Sequence, residues 1–251
     1  MKKILFLSLM LFAFIFASCE YDNYDAPSLT VSGNLTYNGK NVLFDGNSAR
    51  TLLKVLQTGY GKVDAGTGIQ VADDGSFTQL LFSGEYWLTP YNNQYPFEFT
   101  QFKNLGSGLG YDSIHIDLKD NLKMDIEVIP YYEISDYTAT LEGTNMLMKF
   151  KYAKVAGTVS AAPAIKNVRC YVSTSKIVNS STTCAVTKAV NASGNGELSI
   201  SMPVATYHNG YVNNFRDYAF CRIAIELNNI PNYFLFSEVK KMEGLPVKEW
   251  K

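Results

Sequence analysis

Alternation of apolar and polar residues is the feature that most restricts the fold of this chain. In Leu29–Tyr37 the apolar side chains fall on one side of an extended strand, and Thr30 and Ser32 fall on the other. A period of two residues is typical of a half-buried β-strand. After residue 25 no stretch has a long 3.6-residue period, and Val, Ile, Thr, Tyr and Phe dominate the apolar segments. The sequence therefore predicts an all-β fold.

Further strand candidates follow Pro130, with clear turn signals between them. They are Thr138–Glu142, Met146–Tyr152, Lys166–Thr174, Ser181–Val190, Glu197–Met202, Tyr218–Leu227 and Tyr233–Val239. Short strands at this spacing are typical of an immunoglobulin-like or fibronectin-type-III-like sandwich. Since proline cannot continue a central ladder, we place a domain boundary at Pro130. We predict two β-sandwich domains in tandem, residues 28–130 and 131–240, followed by a tail over residues 241–251.

The first predicted domain contains two local signals. Asp73-Asp74-Gly75-Ser76 predicts a plain turn, because its spacing lacks the alternating ligands and closing glutamate of a calcium loop. Asp112–Leu118 and Leu122–Ile129 are expected to form a hairpin across Lys119-Asp120-Asn121. His115 falls on the polar side of that hairpin and is expected to be a surface residue.

The N-terminus predicts export and a lipid anchor. Lys2 and Lys3 precede the apolar run Ile4–Ala17, which is shorter than the roughly 20 residues that span a bilayer and fits a signal peptide. Phe16-Ala17-Ser18-Cys19 resembles a bacterial lipobox, which implies that residues 1–18 are removed and that Cys19 is acylated. Residues 19–27 would then be a lipidated tether. The alternative is an ordinary cleaved signal peptide.

Acidic residues follow the cysteine at Glu20, Asp22 and Asp25. They resemble the surface-export signal of Bacteroidetes lipoproteins. We therefore expect an outer-membrane protein, lipid-anchored and displayed on the cell surface. The alternatives are that these residues only form a solvated tether and that the protein lies on the periplasmic face.

Charge and cysteine content restrict the partners. The formal net charge is −1, and no run of Lys or Arg occurs, so nucleic acid is not an expected partner. Cys170, Cys184 and Cys221 lie on apolar strand faces, which favours buried thiols. A Cys170–Cys184 disulfide is the alternative, because export would permit it. No C-x-x-C motif is present, and we expect no metal and no cofactor.

Several motifs resemble known families. Val71–Leu88, with its D-G-S-F and G-E-Y-W-L segments, resembles the carboxypeptidase-regulatory, transthyretin-like sandwich, and Tyr218–Ile225 resembles a strand of a fibronectin-type-III domain. The Val71–Leu88 segment, together with Cys19, the G-x-L-T strand Gly33–Thr36 and the segment Val128–Tyr131, resembles the Bacteroidetes lipoprotein family Domain of Unknown Function 3823.

That resemblance implies an accessory lipoprotein of an outer-membrane polysaccharide-uptake system, and it implies no catalytic residue. The chain also lacks G-x-S-x-G and H-E-x-x-H motifs, so we do not expect an enzyme. The expected function is glycan binding. The alternative is a structural module that scaffolds an outer-membrane transporter and its lipoprotein partner.

Two predicted loops, Tyr91–Phe102 and Pro203–Asp217, are rich in aromatic residues. Long loops on a rigid sandwich often carry binding residues. The candidate ligand-binding residues are Tyr91, Tyr95, Tyr207, Tyr211 and Phe215. Their rings could stack on sugars or contact a protein partner. The alternative is that these aromatic side chains cover the open ends of the sandwiches.

Ser113 is a candidate modification site. Asp112-Ser113-Ile114 matches the D-[ST]-aliphatic motif of the Bacteroidetes O-glycosylation system. The alternative is an unmodified start of a strand.

Overall fold

A computed structural model describes residues 26–45, 50–57, 66–106, 110–158, 160–183, 185, 191–208 and 215–247. The predicted all-β class is confirmed, since strands dominate these residues and pack as several sheets. In chain order the strands are β1 (Leu29–Tyr37), β2 (Lys40–Asn41), β3 (Phe44–Asp45), β4 (Thr51–Gln57), β5 (Thr67–Gln70), β6 (Ser76–Leu81), β7 (Gly84–Pro90), β8 (Phe97–Phe99), β9 (Ile114–Leu118), β10 (Leu122–Lys123), β11 (Ile126–Pro130), β12 (Tyr132–Glu142), β13 (Asn145–Lys154), β14 (Ile165–Ser173), β15 (Gly196–Pro203), β16 (Tyr218–Leu227), β17 (Phe234–Phe236) and β18 (Lys240–Glu243). A helical turn spans Val204–Tyr207. Within the described ranges, no helix is both long enough and apolar enough to cross a membrane.

The first half of the chain forms two sheets that face each other. One sheet has the order β10-β1-β11-β8, with β2 and β6 also paired to β1, and the other has the order β5-β4-β7-β9. Val31 and Leu35 from β1 and Leu53 and Leu88 from the second sheet are completely buried. The alternation that predicted these strands therefore also places their apolar sides in the core.

The predicted hairpin between Asp112–Leu118 and Leu122–Ile129 is wrong. β9 pairs with β7, whereas β10 and β11 pair with β1 in the other sheet. The connection crosses the sandwich and is fixed by Asn121, whose Oδ1 accepts hydrogen bonds from the backbone N (2.9 Å) and Oγ1 (3.1 Å) of Thr30. This long-range contact has no signal in the local sequence.

The turn predicted at Asp73–Ser76 is confirmed. Oδ1 of Asp74 accepts hydrogen bonds from the Ser76 hydroxyl (2.6 Å) and backbone N (3.0 Å), and these bonds lower the pKa of Asp74. Gly75 has φ +81°, and a Cβ there would lie 2.8 Å from the Val42 carbonyl oxygen. The Asp74 carboxylate and the glycine thus serve the turn.

The second half of the chain forms a sheet in the order β12-β13-β15 and a sheet in the order β14-β16-β17-β3, with β18 paired to β16. Met146, Met148 and Phe150 of β13 lie in the core, as their alternation predicted. The candidate strand Ser181–Val190 is only partly described: Asn179–Thr183 makes a turn, and Ala185 forms a bridge with Val172.

Cys170 and Cys221 are buried free thiols, as the alternation predicted. Burial raises the pKa of both thiols, that of Cys221 to about 12. They behave as small apolar residues of the core. Cys184 lies outside the described residues.

The two halves share one sheet through β3. Phe44 and Asp45 of β3 pair with Leu235 and Phe234 of β17, and the backbone N of Phe236 donates to the Leu43 carbonyl oxygen (2.9 Å). The predicted boundary at Pro130 falls between β11 and β12, but β3 comes from the first half of the chain and completes a sheet of the second.

Polar contacts also join the two halves of the chain next to β3. Asp45 is fully buried, and its Oδ2 accepts a hydrogen bond from the backbone N of Ser180 (2.8 Å). Asn179 donates through Nδ2 to Oδ2 of Asp73 (2.7 Å). Because an unpaired buried carboxylate is costly, these bonds specify how the two halves dock.

We expect Phe44→Ala to destabilise the entire chain by about 3–5 kcal/mol, because Phe44 is completely buried and packs edge-on against Phe97 at 5.9 Å. Urea unfolding followed by fluorescence and by circular dichroism should show one shared transition in both proteins, at a lower midpoint in the variant. Phe82→Ala, at an exposed ring, is the control and should leave the midpoint nearly unchanged. Two separate transitions in the parent would contradict a single cooperative unit.

A second prediction concerns acid stability. Burial alone would raise the pKa of Glu226, but Lys166 (2.8 Å), Asn167 (3.0 Å) and Arg169 (2.9 Å) stabilise the carboxylate, and the pKa is lowered. A lowered pKa contributes stability above the unfolded-state pKa, and this contribution is lost as the pH falls through the folded-state pKa.

Glu226→Gln should therefore cost about 1–2 kcal/mol at neutral pH, since Lys166 is half exposed and solvent screens the pair. The variant should also lose less stability than the parent when the pH is lowered below about 4.5, the ordinary Glu value. Urea titrations at several pH values measure both effects. Glu142→Gln, at an exposed carboxylate 3.8 Å from Lys149, is the matched control. Equal pH slopes in Glu226→Gln and the parent would contradict the assignment.

Candidate functional site

The outer face of the β5-β4-β7-β9 sheet presents an indole ring to solvent. Along β7, Tyr86 and Leu88 point into the core, so Trp87 points outward and is 38% exposed. His115 of β9 lies directly opposite in the strand register, and the two ring centroids are 4.8 Å apart at an interplanar angle of 50°. The neighbouring imidazole therefore restricts the orientation of the exposed indole.

Polar groups surround this aromatic pair. Glu85 and Asp117 form the next outward-facing pair in the same two strands. Glu85 Oε2 lies 3.8 Å from His115 Nε2, and Lys119 Nζ lies 2.5 Å from Asp117 Oδ2. All four polar side chains are more than 40% exposed. We call Glu85, Trp87, His115 and Asp117 the Trp87 face.

The Trp87 face combines a large apolar ring with hydrogen-bonding groups in reach of the same ligand. An indole offers a wide, rigid apolar surface. Carboxylates accept hydrogen bonds, and a neutral imidazole both donates and accepts. The arrangement suits a flat ligand with one apolar side and several hydroxyl groups. Among the described residues, no group of three or more His, Cys, Asp or Glu could hold a metal.

Tyr91, just after the end of β7, is a further exposed ring, with 47% exposure. It follows β7 four residues after Trp87, which corresponds to about 13 Å of extended chain. Lys54 Nζ lies 5.8 Å from the centroid of the Tyr91 ring. Between the two rings Thr89 is buried, and its hydroxyl donates to the Asp112 carbonyl oxygen (2.9 Å). Tyr91 is therefore accessible as predicted for a ligand contact, and ligand binding there stays a prediction.

The structure corrects the expectation for Tyr95. Its ring is only 2% exposed and stacks on Phe97 with centroids 5.6 Å apart. Its hydroxyl donates to the Leu52 carbonyl oxygen (2.9 Å) and accepts from the backbone N of Asn92 (2.5 Å). Burial raises the pKa of Tyr95 far above its ordinary value. This ring is part of the core and also contacts Tyr233 of the second half, with centroids 5.6 Å apart, so it is not available to a ligand.

The second aromatic segment is likewise corrected at Tyr207. This side chain is fully buried, and its hydroxyl donates to the Tyr218 carbonyl oxygen (3.0 Å). Phe215 is partly buried. Tyr211 lies outside the described residues, and the predictions for Phe215 and Tyr211 stay predictions.

The other predicted sites differ in their surroundings. Ser113 is exposed just before β9. The carboxylate of the neighbouring Asp112 is hydrogen-bonded, since its Oδ1 accepts a hydrogen bond from the backbone N of Lys103 (2.6 Å). Modification of Ser113 stays a prediction. Cys19 lies outside the described residues.

A cleft of about 480 Å³ lies between the two halves of the chain. Its walls come from the β1–β2 turn, the first residues of β12 and the segment from β17 to β18. Within β12 the register shifts after Ser135, and Asp136 has φ +50° and is held by Lys151 Nζ at 2.8 Å. Small-molecule sites are often clefts of this size at domain junctions. The cleft is therefore a concave surface separate from the Trp87 face.

Sequence reasoning missed Trp87. The signal was present, because Tyr86 and Leu88 in G-E-Y-W-L are apolar neighbours on the core side, which leaves Trp87 on the solvent side. Aromatic richness in loops pointed instead to residues that include the buried Tyr95 and Tyr207.

An all-β protein of two joined sandwiches, with a solvent-facing aromatic surface, is the class that this geometry defines. Residues 29–129 match the family model described as the N-terminal domain of Protein of unknown function (DUF3823). Over residues 29–129 the chain is therefore similar to the N-terminal domain of this family, as the sequence motifs had indicated.

Solved structures share the fold over most of the chain. A DUF3823 family protein from Parabacteroides merdae has 22% identity and a TM-score of 0.68, covering 87% of this chain and 100% of that one. A second, from Bacteroides ovatus, has 21% identity and a TM-score of 0.64, covering 88% and 100%.

A protein from Bacteroides uniformis whose description proposes carbohydrate binding has 11% identity and a TM-score of 0.65, covering 87% and 100%. At these identities the likeness shows the fold alone. No curated protein matches the chain.

We expect Tyr95→Phe to lower the free energy of unfolding by about 1–3 kcal/mol, because the Leu52 carbonyl and the Asn92 N–H would lose their shared buried partner. Tyr91→Phe, at the exposed ring, should change it by less than about 0.5 kcal/mol. Urea unfolding of the two variants beside the parent measures the difference. Equal effects would contradict the structural role assigned to the Tyr95 hydroxyl.

Proposed function

We propose that this chain is a non-catalytic glycan-binding lipoprotein of the bacterial outer membrane. Acylated Cys19 anchors it, and it is displayed on the cell surface as an accessory component of a polysaccharide-uptake system. The observation that carries the proposal is Trp87, a solvent-facing indole positioned by His115 on a rigid sheet. The lipobox-like sequence Phe16–Cys19 supports the anchor.

Binding on the Trp87 face would combine stacking and hydrogen bonding. The apolar side of a sugar ring would lie on the indole, and its hydroxyl groups would reach the carboxylates of Glu85 and Asp117 and the imidazole of His115. These carboxylates are exposed, so they would repel sulfate and uronate groups. A neutral glycan is therefore the ligand class that this face favours.

Two further observations support the proposal. The fold is shared with the Bacteroides uniformis protein whose description proposes carbohydrate binding. The hydroxyl of Ser113 is exposed, which supports its role as an O-glycosylation acceptor in an exported protein.

We expect Trp87→Ala to weaken polysaccharide binding at least about tenfold, since burying a large apolar side chain contributes roughly 1.5–3 kcal/mol. The protein starting at Glu20 would be tested against neutral and acidic polysaccharides by affinity gel electrophoresis and calorimetry. Ile177→Ala, at an exposed apolar side chain of the second half, is the control and should bind as the parent does. Binding that is unchanged in Trp87→Ala would contradict the assignment of this face.

A scaffolding function is the second candidate, favoured by the same exposed ring, because Trp and Tyr are also enriched at the centres of protein interfaces. It predicts no affinity for any polysaccharide and co-purification with an outer-membrane transporter or its lipoprotein partner. Trp87→Ala would then reduce that co-purification.

A further inference from the structure

Two large apolar side chains are exposed where the chain enters the first sheet. Leu80 is 48% exposed and Phe82 is 47% exposed. Leu80 lies opposite Thr30 in the register of β6 and β1, and Leu81 lies opposite Leu29, the first residue of β1. Alternation places Leu80 and Phe82 on the same side of the chain. We call these two residues the Leu80 patch.

The ring of Phe82 sits on an ordered turn. Its carbonyl oxygen accepts a hydrogen bond from the Tyr86 hydroxyl (3.0 Å), which ties the β6–β7 connection to β7. Leu80 extends from a strand that pairs with β1 along six residue pairs. Both side chains are therefore presented by fixed backbone, at one end of the sandwich.

The length of the tether relates this end to the membrane. Nine residues, 20–28, separate Cys19 from Leu29. Fully extended they reach about 30 Å, and a flexible chain of that length has a root-mean-square span of about 17 Å. Because the Leu80 patch is one strand spacing from Leu29, about 4.8 Å across the sheet, an acylated Cys19 would keep the patch close to the lipid headgroups.

Charge around the patch does not add attraction for anionic lipids. Lys119, which follows β9, is paired with Asp117. Asp120, in the connection between β9 and β10, is an exposed carboxylate. Apolar contact is therefore the interaction through which this surface would bind a bilayer.

We infer that the Leu80 patch contacts the membrane and orients the protein on it, with the end of the first sandwich that carries Leu29 facing the lipid. The inference rests on the lipid anchor in the proposed function. Trp87 belongs to the opposite sheet of the sandwich, so this orientation leaves the Trp87 face open to a glycan.

The test uses the full acylated chain in phosphatidylethanolamine and phosphatidylglycerol vesicles whose acyl chains carry bromine, which quenches nearby tryptophan. Phe82→Trp introduces a reporter in the patch. Leu105→Trp is the matched control, because Leu105 is also exposed but lies between β8 and β9, in a segment that contacts Thr89 near the far end of β7 through Asp112. We expect Phe82→Trp to gain emission that is blue-shifted and quenched by the brominated lipid, whereas the emission added by Leu105→Trp is unquenched.

A second measurement gives the contribution of the Leu80 patch to membrane affinity. The unacylated chain from Glu20 should bind the same vesicles weakly, and Leu80→Ser with Phe82→Ser should reduce that binding roughly tenfold or more. Unfolding midpoints of all variants would be compared with the parent, so that a loss of fold is recognised.

The outcomes separate the two proposals. If the acylated protein floats with vesicles but Phe82→Trp is unquenched, the orientation is overturned and the anchor stands. If Leu105→Trp is quenched instead, the opposite end faces the lipid and the inference is also overturned. If the protein isolated from its native host carries no acyl group at Cys19 and does not float, the anchor fails and this inference fails with it.

Discussion

The structure depends on the pairing of β3 with β17. Two residues of the first half, Phe44 and Asp45, complete the sheet of the second half. Phe44 packs edge-on against Phe97, and Asp45 accepts a hydrogen bond from the backbone N–H of Ser180. The edge of β3 and the carboxylate of Asp45 are both buried. Few other arrangements of the two halves are therefore possible, because a displaced β3 would leave buried polar groups without hydrogen-bond partners. The two sandwiches are consequently joined as one body with a continuous core.

A buried cation reinforces the junction from the other side of the shared sheet. Arg222 packs over the Phe236 ring at 4.5 Å and donates to the carbonyl oxygens of Ser237 (3.0 Å) and Val178 (3.1 Å). Burial lowers its pKa, and the charges of Asp73 and Asp45 oppose that shift. The positions of the cleft and the Trp87 face relative to each other follow from this rigid junction, so any ligand would meet a preformed surface.

Particular residues show where sequence reasoning succeeded and failed. The alternation around Leu35 and Met148 predicted strands whose apolar sides are buried, and Asp74-Gly75 predicted a turn. Aromatic loops were poor indicators of a site, because Tyr95 and Tyr207 are buried in the core. The exposure of Trp87 could have been predicted from the alternation of side chains along β7, since that alternation depends only on the local backbone.

What the sequence by itself determined is local: the period of each strand, the turn chemistry and the lipobox-like N-terminus, which all depend on neighbouring residues. Only the tertiary structure decided which strands pair. It separated β9 from β10, and it placed β3 beside β17, which follows it by almost 190 residues. Those choices depend on burial and hydrogen bonding between distant segments, such as Asn121 with Thr30 and Asp45 with Ser180. The short pattern of a single strand contains no information about such partners.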